Sequence, residues 1–468
     1  MNYDISRRAL LLGSVGVGVT GALAASPAQA RKARTDAQIY GVTTTDPLIR
    51  QRADPFITPR HRGSYYFTAS VPEYDRIIVR GATTIAGLAT ATETVLWQRP
   101  TSGKMGGHIW APELHRIDGR WYIYFAAGDK DEVFRIRTYV LESALADPTD
   151  PAGWTLRGQI ITEWDGFTLD ATTFAHRGRR YLVWAQSEPE IAVNTSLYIA
   201  EMSNPWTLKT KPTRIATPTK SWETPGFKVN EGPAVLIRNG RVFVTFSAAA
   251  TDARYCMGLL TADARADLLK SSSWTKSPDP IFSTHAETQR YGPGHNSFTV
   301  AEDGKTDVLV YHARDYRDIT GDPLYDPNRH TRVQRLYWHP DGTPLFGVPV
   351  GAGGPIVRLS PADAPREFVT HNGTALVVRQ PSHVLADTQF RFVPGTGGAE
   401  AIQSVDFPDR YVRVVDGAVR LEAGAPTEVR RVPRGRGVQL QLAGDATRYL
   451  RHENGTVVTG DASVFLLG

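Results

Sequence analysis

The sequence predicts an all-β chain: a five-bladed β-propeller followed by a small β-trefoil. Three observations carry this expectation. A polar leader, a short strand, a glycine turn and an aromatic-rich strand recur five times along the chain. The turn glycines Gly63, Gly119, Gly178, Gly240 and Gly304 are spaced 56, 59, 62 and 64 residues apart. The final stretch, from residue 365 on, changes texture and carries a shorter repeat of its own. Modules of roughly sixty residues with hairpin turns and period-two strands are what propeller blades of about four strands produce. Composition agrees, since 42 glycines and 31 prolines in 468 residues punctuate strands rather than helices.

Residues 1–30 read as an export signal. Arg7 and Arg8 precede the apolar run from Ala9 to Ala25, and small residues end it at Ala28-Gln29-Ala30. A twin arginine before a modest apolar stretch predicts a Tat-type leader cleaved after Ala30, and hence secretion. The Gly16-Val17-Gly18-Val19-Thr20-Gly21 stretch formally fits a dinucleotide fingerprint, but it has no preceding strand and lies inside the leader. No other segment has the eighteen or more apolar residues of a membrane span.

Residues 31–355 hold the five modules. Their leaders are Asp54 before RGSYYFTAS, Glu113 before DGRWYIYFAA, Asp170 before RGRRYLVWAQS, Glu231 before NGRVFVTFSAA and His295 before DGKTDVLVYHAR. Each leader precedes its turn glycine by six to nine residues. Innermost strands face the axis of a propeller, so this shared phase predicts that the leaders converge on one cavity. The single cysteine, Cys256, excludes an intrachain disulfide and a cysteine-cluster zinc site, and its strand-like setting reads as a buried thiol. The net charge of +5 is scattered, and the one basic run, Arg430, Arg431, Arg434 and Arg436, is broken by Pro433. That run reads as a solvated loop, and no nucleic-acid partner is expected.

The Gly/Pro-rich segment from Phe346 to Ala364 marks the boundary, and residues 365–468 form the tail. REFVTHNGTALVV, DFPDRYVRVVDGAVRL and RYLRHENGTVVTGDASVF are three weakly similar stretches, the count a trefoil needs.

The motifs RADPFIT, YFTASVPEYDRI, HIWAPELH, LDATTF, VNEGPAVL, YGPGHNSFTV and DPNRHTRVQ resemble glycoside hydrolase family 43, over about residues 38 to 350. More narrowly they resemble its exo-acting α-1,5-L-arabinofuranosidase branch. The tail resembles the arabinofuranose-binding trefoil of carbohydrate-binding module family 42 through FRFVPG, SVDFPDRYVR and YLRHENG, although its middle repeat departs from the pattern.

Glycoside hydrolysis needs a protonated carboxyl at the leaving oxygen and a carboxylate on the opposite face of the sugar, and leaders on different blades supply such a pair. The resemblance implies Asp54 as the general base, Glu231 as the general acid and Asp170 as the carboxylate that positions the acid and tunes it, with inversion at the anomeric carbon. Glu113 shares the leader phase, has no implied proton-transfer role and is read as a group that lines the cavity or stands in a second layer behind its wall. The resemblance also implies one calcium or sodium ion near His295, and no organic cofactor is expected. Trp110 is a candidate for stacking on a sugar, Arg332 is implied as a pocket arginine, and Tyr74 and Asp75 are rim candidates. In the tail, His452 and Asp461 match the sugar-gripping positions closely and His371 and Asp387 more loosely, while Val414 stands where the middle repeat would need a histidine.

The expected protein is therefore a secreted, monomeric arabinofuranosidase acting on arabinose-containing plant polysaccharide. β-Xylosidase, endo-arabinanase and a non-catalytic carbohydrate-binding propeller are the alternatives that the sequence leaves open.

Overall fold

The computed structural model describes Asp36, residues 46–380 and residues 384–468, all within one compact unit that spans Lys32–Gly468. The expected signal segment lies outside the described residues. Among the described residues, no helix is long and apolar enough to cross a membrane.

Five antiparallel sheets follow one another along the chain, and their innermost strands are Ala53–Ile57, Ile109–Ile117, Thr168–His176, Asn230–Arg238 and Tyr291–Val300. These five strands neighbour one another in a closed ring, the five-bladed propeller arrangement. The turn glycines sit at the first hairpin of each blade with φ between 68° and 87°, the left-handed region that glycine enters without cost. Each blade buries both faces, so its middle strand reads apolar on both sides. In blade 3, Tyr181, Val183 and Ala185 pack toward blade 4, while Leu182 and Trp184 pack toward blade 2. The same two-sided alternation builds one apolar core between each pair of successive blades, five in all around the ring among the described residues. Cys256 is buried, and burial pushes its thiol up to about 12.

Blade 5 has three strands of its own, Tyr291–Val300, Asp307–Arg314 and His330–Arg335, and the ring is closed by the chain that leads into blade 1. The N–H groups of Leu48 and Ile49 donate to the Thr331 carbonyl, and the Thr331 N–H donates back to Ile49. The Thr331 hydroxyl donates to the Arg52 carbonyl at 2.7 Å. Asp46 accepts from Arg332 at 2.6 Å, and Arg290 reaches its other oxygen at 2.5 Å.

This seam corrects the reading of Arg332 as a pocket residue. Arg332 lies on the third strand of its blade, a full strand away from the axis, and its side chain is fully buried between Asp46 and Asp315. Sequence proximity to the cavity motif does not carry it inward, because strand order sets radial distance.

The C-terminal region forms a second β-structure around one apolar core that runs from Val357 to Phe465. It begins earlier than residue 365, because Ile356–Val357 pairs with Phe390–Pro394 and Leu359–Pro361 pairs with Val464–Leu467. Three hairpins turn at Gly373-Thr374, Asp416-Gly417 and Asn454-Gly455, and the second strand of the first pairs with the second strands of the other two.

Arg332→Met leaves Asp46 with one cation fewer in a seam that closes the ring. Breaking a buried ion pair costs about 3 to 5 kcal/mol. Chemical denaturation is expected to show a loss of that size, with KM for soluble substrate unchanged in the fraction that remains folded.

Candidate active site

The five innermost strands share one local irregularity. In each, two residues stand opposite a single residue of the next strand, and the first of the two has a left-handed backbone. Those first residues are Asp54 (φ 53°), Ala111 (45°), Asp170 (55°), Gly232 (53°) and His295 (40°). Such a bulge twists the strand, re-aims the side chain and releases a backbone N–H from the ladder. In four blades a side chain takes up the released N–H. Asp54 N donates to His312 Nδ1 at 3.0 Å, Ala111 N to Ser70 Oγ at 2.7 Å, Gly232 N to Asp170 Oδ2 at 2.9 Å and His295 N to Ser247 Oγ at 2.7 Å. Four non-glycine residues held in this conformation store roughly 1 to 3 kcal/mol each, a strain characteristic of functional sites.

The bulge phase puts Glu113 behind the cavity wall, the second of the two positions expected for it, where its charge still acts on Asp170 and His295. The residue of blade 2 equivalent to Asp54 and Asp170 is Ala111, two positions earlier, and Glu113 is instead buried against His115 Nε2 at 2.7 Å. It is absent from the wall of the cavity at the axis. Glu231 stands one residue before its bulge, with Gly232 in the left-handed position. There a Cβ would lie 3.1 Å from the His295 ring, and the φ also favours glycine.

Asp54, Asp170, Glu231 and His295 converge on one cavity of about 450 Å³, whose wall also includes Trp110, Phe134, Phe167, Phe227, Tyr255, Leu324 and Arg329. A mostly apolar recess of this size with a few convergent polar groups is the usual form of a small-ligand site.

The three carboxyls sit in different electrostatic surroundings. Burial alone would push Asp54 up, but the charges of His295 and then Arg329 oppose it and hold the group well below the usual carboxylate range. Asp54 Oδ1 lies 3.3 Å from His295 Nδ1 and 3.4 Å from Arg329, and Oδ2 accepts from Ser70 Oγ at 2.6 Å. Glu231 is raised, first by burial and then by the charge of Asp170, to about 7, against the opposing bond that Tyr255 donates to Oε1 at 2.7 Å. Asp170 is itself raised to about 6, mainly by burial, with the charge of Asp54 adding to it. Burial opposes protonation of His295, but Asp170, Asp54 and Glu231 overcome it and raise that imidazole. His312 is driven the other way, by burial, to about 3, and is therefore neutral, with Nδ1 free to accept from Asp54 N.

The remaining sequence candidates divide. Trp110 lines the cavity and stacks on His108 with centroids 5.1 Å apart. Tyr74 lies behind the wall, where its hydroxyl accepts from Arg329 at 2.7 Å and donates to the Leu324 carbonyl at 2.5 Å. Asp75 is off the site and paired with Arg76 at 2.6 Å. The pocket arginine is Arg329, three residues before Arg332 and just outside the strand, a difference that strand parity within DPNRHTR makes visible only in retrospect. Ser70 and His312 also reach the site, from the second strands of their blades, and Tyr255 from just before a third, all outside the leader phase that picks out the innermost strands.

His295 offers a thin donor set to an ion. Its Nδ1 faces Asp54 and, at 3.8 Å, Asp170, and calcium takes six to eight oxygens. Among the described residues the one trio of His, Cys, Asp or Glu donors close enough to share an ion is His371, Asp387 and Asp406, remote from the axis in sequence. The residues around His295 do not make a protein cage for an ion, and no step is derived through one.

In the C-terminal region the structure reverses the order of the two sugar candidates. His371 Nε2 lies 2.9 Å from Asp406 Oδ2 and 3.5 Å from Asp387 Oδ1, so the looser sequence match is assembled. His452 instead pairs with Asp363 at 3.2 Å and accepts from Gly455 N, whereas Asp461 is fully exposed beside Arg451. His371 pairs through Nε2 with a buried Asp406 that Ser404 also holds, whereas His452 pairs through Nδ1 with an exposed Asp363, so the two histidines differ in their pairing as well as in the third carboxylate. Val414, in the middle hairpin, offers no such group.

A profile of the family described as "Glycosyl hydrolases family 43" matches residues 44–344. The chain is 56% identical over 361 residues to the "Extracellular exo-alpha-(1->5)-L-arabinofuranosidase" of Streptomyces avermitilis, covering 77% of this chain and 75% of that one. It is 51% identical over 436 residues to "Alpha-L-arabinofuranosidase 43" of Humicola insolens, covering 88% and 90%. Among solved structures, an α-L-arabinofuranosidase from Lactobacillus brevis superposes with a TM-score of 0.65 at 55% identity, over 66% of this chain and 98% of that one. The family match and these relatives define the class of the protein: it is a glycoside hydrolase. The chain belongs to glycosyl hydrolases family 43.

Because the charge of Asp170 helps hold the proton on Glu231, Asp170→Asn removes that charge while keeping an oxygen to accept from Gly232. Carboxyl ¹³C NMR is expected to show Glu231 titrating at lower pH in the variant, with Asp54 ionised throughout the range from pH 4 to 8 in both proteins.

Proposed function

We propose that the protein is a secreted exo-acting α-L-arabinofuranosidase that releases terminal L-arabinofuranose from α-1,5-linked arabinan or its oligosaccharides with inversion. The observation that carries this reading is the divergence of two carboxyls that line one cavity: Asp54 is held ionised, while burial and then the charge of Asp170 push Glu231 up to about 7. Divergent environments of this kind separate the base from the acid. The names of the relatives support the sugar, the linkage and the extracellular location, and the twin-arginine leader in residues 1–30 supports export.

In the proposed step the terminal sugar enters the cavity with its glycosidic oxygen toward Glu231. Glu231 gives its proton to that oxygen as the bond to the anomeric carbon breaks. A water on the far face attacks the same carbon and passes its proton to Asp54. The sugar leaves as the inverted hemiacetal, and the shortened chain leaves with a new hydroxyl. Arg329 and Ser70 keep Asp54 ionised and oriented, and Asp170 maintains the proton on Glu231. Phe134 and Phe227, each more than half exposed at the cavity wall, offer apolar faces to the sugar beyond the scissile bond.

The C-terminal region is read as a β-trefoil that binds arabinose-bearing polysaccharide. Its three hairpins with two-residue turns and its single core support the fold, and the His371, Asp387 and Asp406 cluster supports a first-repeat sugar site.

Glu231→Ala is expected to abolish cleavage of arabino-oligosaccharides and to spare part of the rate on aryl arabinofuranosides, whose leaving groups need little protonation. Asp54→Ala is expected to silence both. Proton NMR of the first product anomer checks the inversion, and a retained anomer or equal losses on both substrates for Glu231→Ala overturn the assignment. Retention on insoluble arabinoxylan is expected to fall for His371→Ala and Asp387→Ala, and to hold for Val414→Ala. Turnover of a small soluble substrate should stay unchanged in all three, because the tether acts through effective concentration alone.

A further inference from the structure

The side chain that touches Glu231 most closely has no role in the chemistry so far described. Tyr255, 2% exposed, enters blade 4 just before the strand Cys256–Asp263 and donates its hydroxyl to Glu231 Oε1 at 2.7 Å. Its ring lies parallel to that of His312, with an interplanar angle of 5° and centroids 5.8 Å apart. His312 in turn accepts from the backbone N–H of Asp54. Acid and base are thus joined through one stacked pair. The space for it is provided by Gly294, where a Cβ would lie 2.4 Å from the Tyr255 ring.

We propose that Tyr255 is a positioning residue for the acid, fixing Oε1 of Glu231 as the acceptor so that the transferable proton resides on Oε2 and faces the leaving oxygen. The inference rests on the reading of Glu231 as the acid. A carboxyl has two equivalent oxygens and rotates between them unless one is bound. With Oε1 occupied by a hydroxyl donor, the proton is confined to the other oxygen. As the proton departs, the same hydroxyl stabilises the negative charge that develops on the carboxylate. Tyr255 keeps its own proton throughout, because burial and then the charge of Glu231 raise the phenol well above its ordinary range. The bond favours the ionised form of Glu231, so it sets an upper limit on how far burial and Asp170 raise the group.

Tyr255→Phe deletes the hydroxyl and keeps the stacked ring. Turnover of a soluble α-1,5-linked arabino-oligosaccharide is expected to fall tenfold or more, and that of 4-nitrophenyl arabinofuranoside by less than threefold. The basic limb of kcat/KM is expected to move up by about one pH unit, since a bond that favoured the carboxylate is gone. 3-Fluorotyrosine at position 255, a more acidic donor, is expected to move the limb down, which keeps the test intact if the phenylalanine variant fails to fold. Equal losses on the two substrates with an unmoved limb would reduce Tyr255 to packing and overturn the proposal. Glu231→Ala run alongside separates the two readings. If it spares the aryl substrate while Tyr255→Phe leaves the limb in place, only the positioning role fails; if it loses both substrates equally, the acid assignment fails and this inference with it.

Discussion

Everything at the axis depends on a backbone N–H that has nowhere to go within its own sheet. A bulge in each innermost strand withdraws one N–H from the ladder, and a buried donor without a partner is costly. The propeller meets that demand with side chains from neighbouring strands: Ser70, Asp170, Ser247 and His312. Ser70 shows how far one such bond reaches. It accepts from Ala111 of blade 2 and donates to Asp54 of blade 1, so backbone geometry in one blade orients the carboxylate of another. Asp170 accepts from Gly232, beside Glu231, and thereby sits where its charge acts on that group. Structural satisfaction and electrostatic tuning are here the same contacts.

Much of this was legible in the sequence, and for a definite reason. The turn glycine of each blade is a fixed reference, and the bulge lies eight or nine residues before it, so the phase found Asp54, Asp170 and His295 directly and Glu231 one residue early. Glu113 passed the same filter without standing at the bulge, because a window of six to nine residues is wider than the bulge requires. Arg332 failed for a different reason. Distance from the axis is set by strand order within a blade, and a motif match at the level of a few residues does not distinguish a side chain just outside a third strand, Arg329, from one inside it. His312 and Tyr255 were invisible because nothing local distinguishes a buried histidine or tyrosine of a strand until the facing blade is known.

The C-terminal region illustrates a related limit. Repeat comparison identifies equivalent histidines at 371 and 452, and the structure gives each an aspartate partner, buried for His371 and exposed for His452. What also separates them is whether a third carboxylate turns inward, as Asp387 does and Asp461 does not. That choice is made by the conformation of a short turn and leaves no trace in residue type.

The seam that closes the ring has a consequence for how the enzyme is lost as well as how it is held. Asp54 stands on blade 1, while His295 and Arg329 belong to blade 5 or its approach, so the groups that keep the base ionised lie across the one joint where the ring is fastened by residues from its two ends. A ring that parts there disarms its base while every blade still keeps its own ladder and the cores between blades 1 and 5 by way of 2, 3 and 4 remain buried. Secondary structure would then outlive chemistry, and a preparation that still looks folded by its sheet content would already be inert.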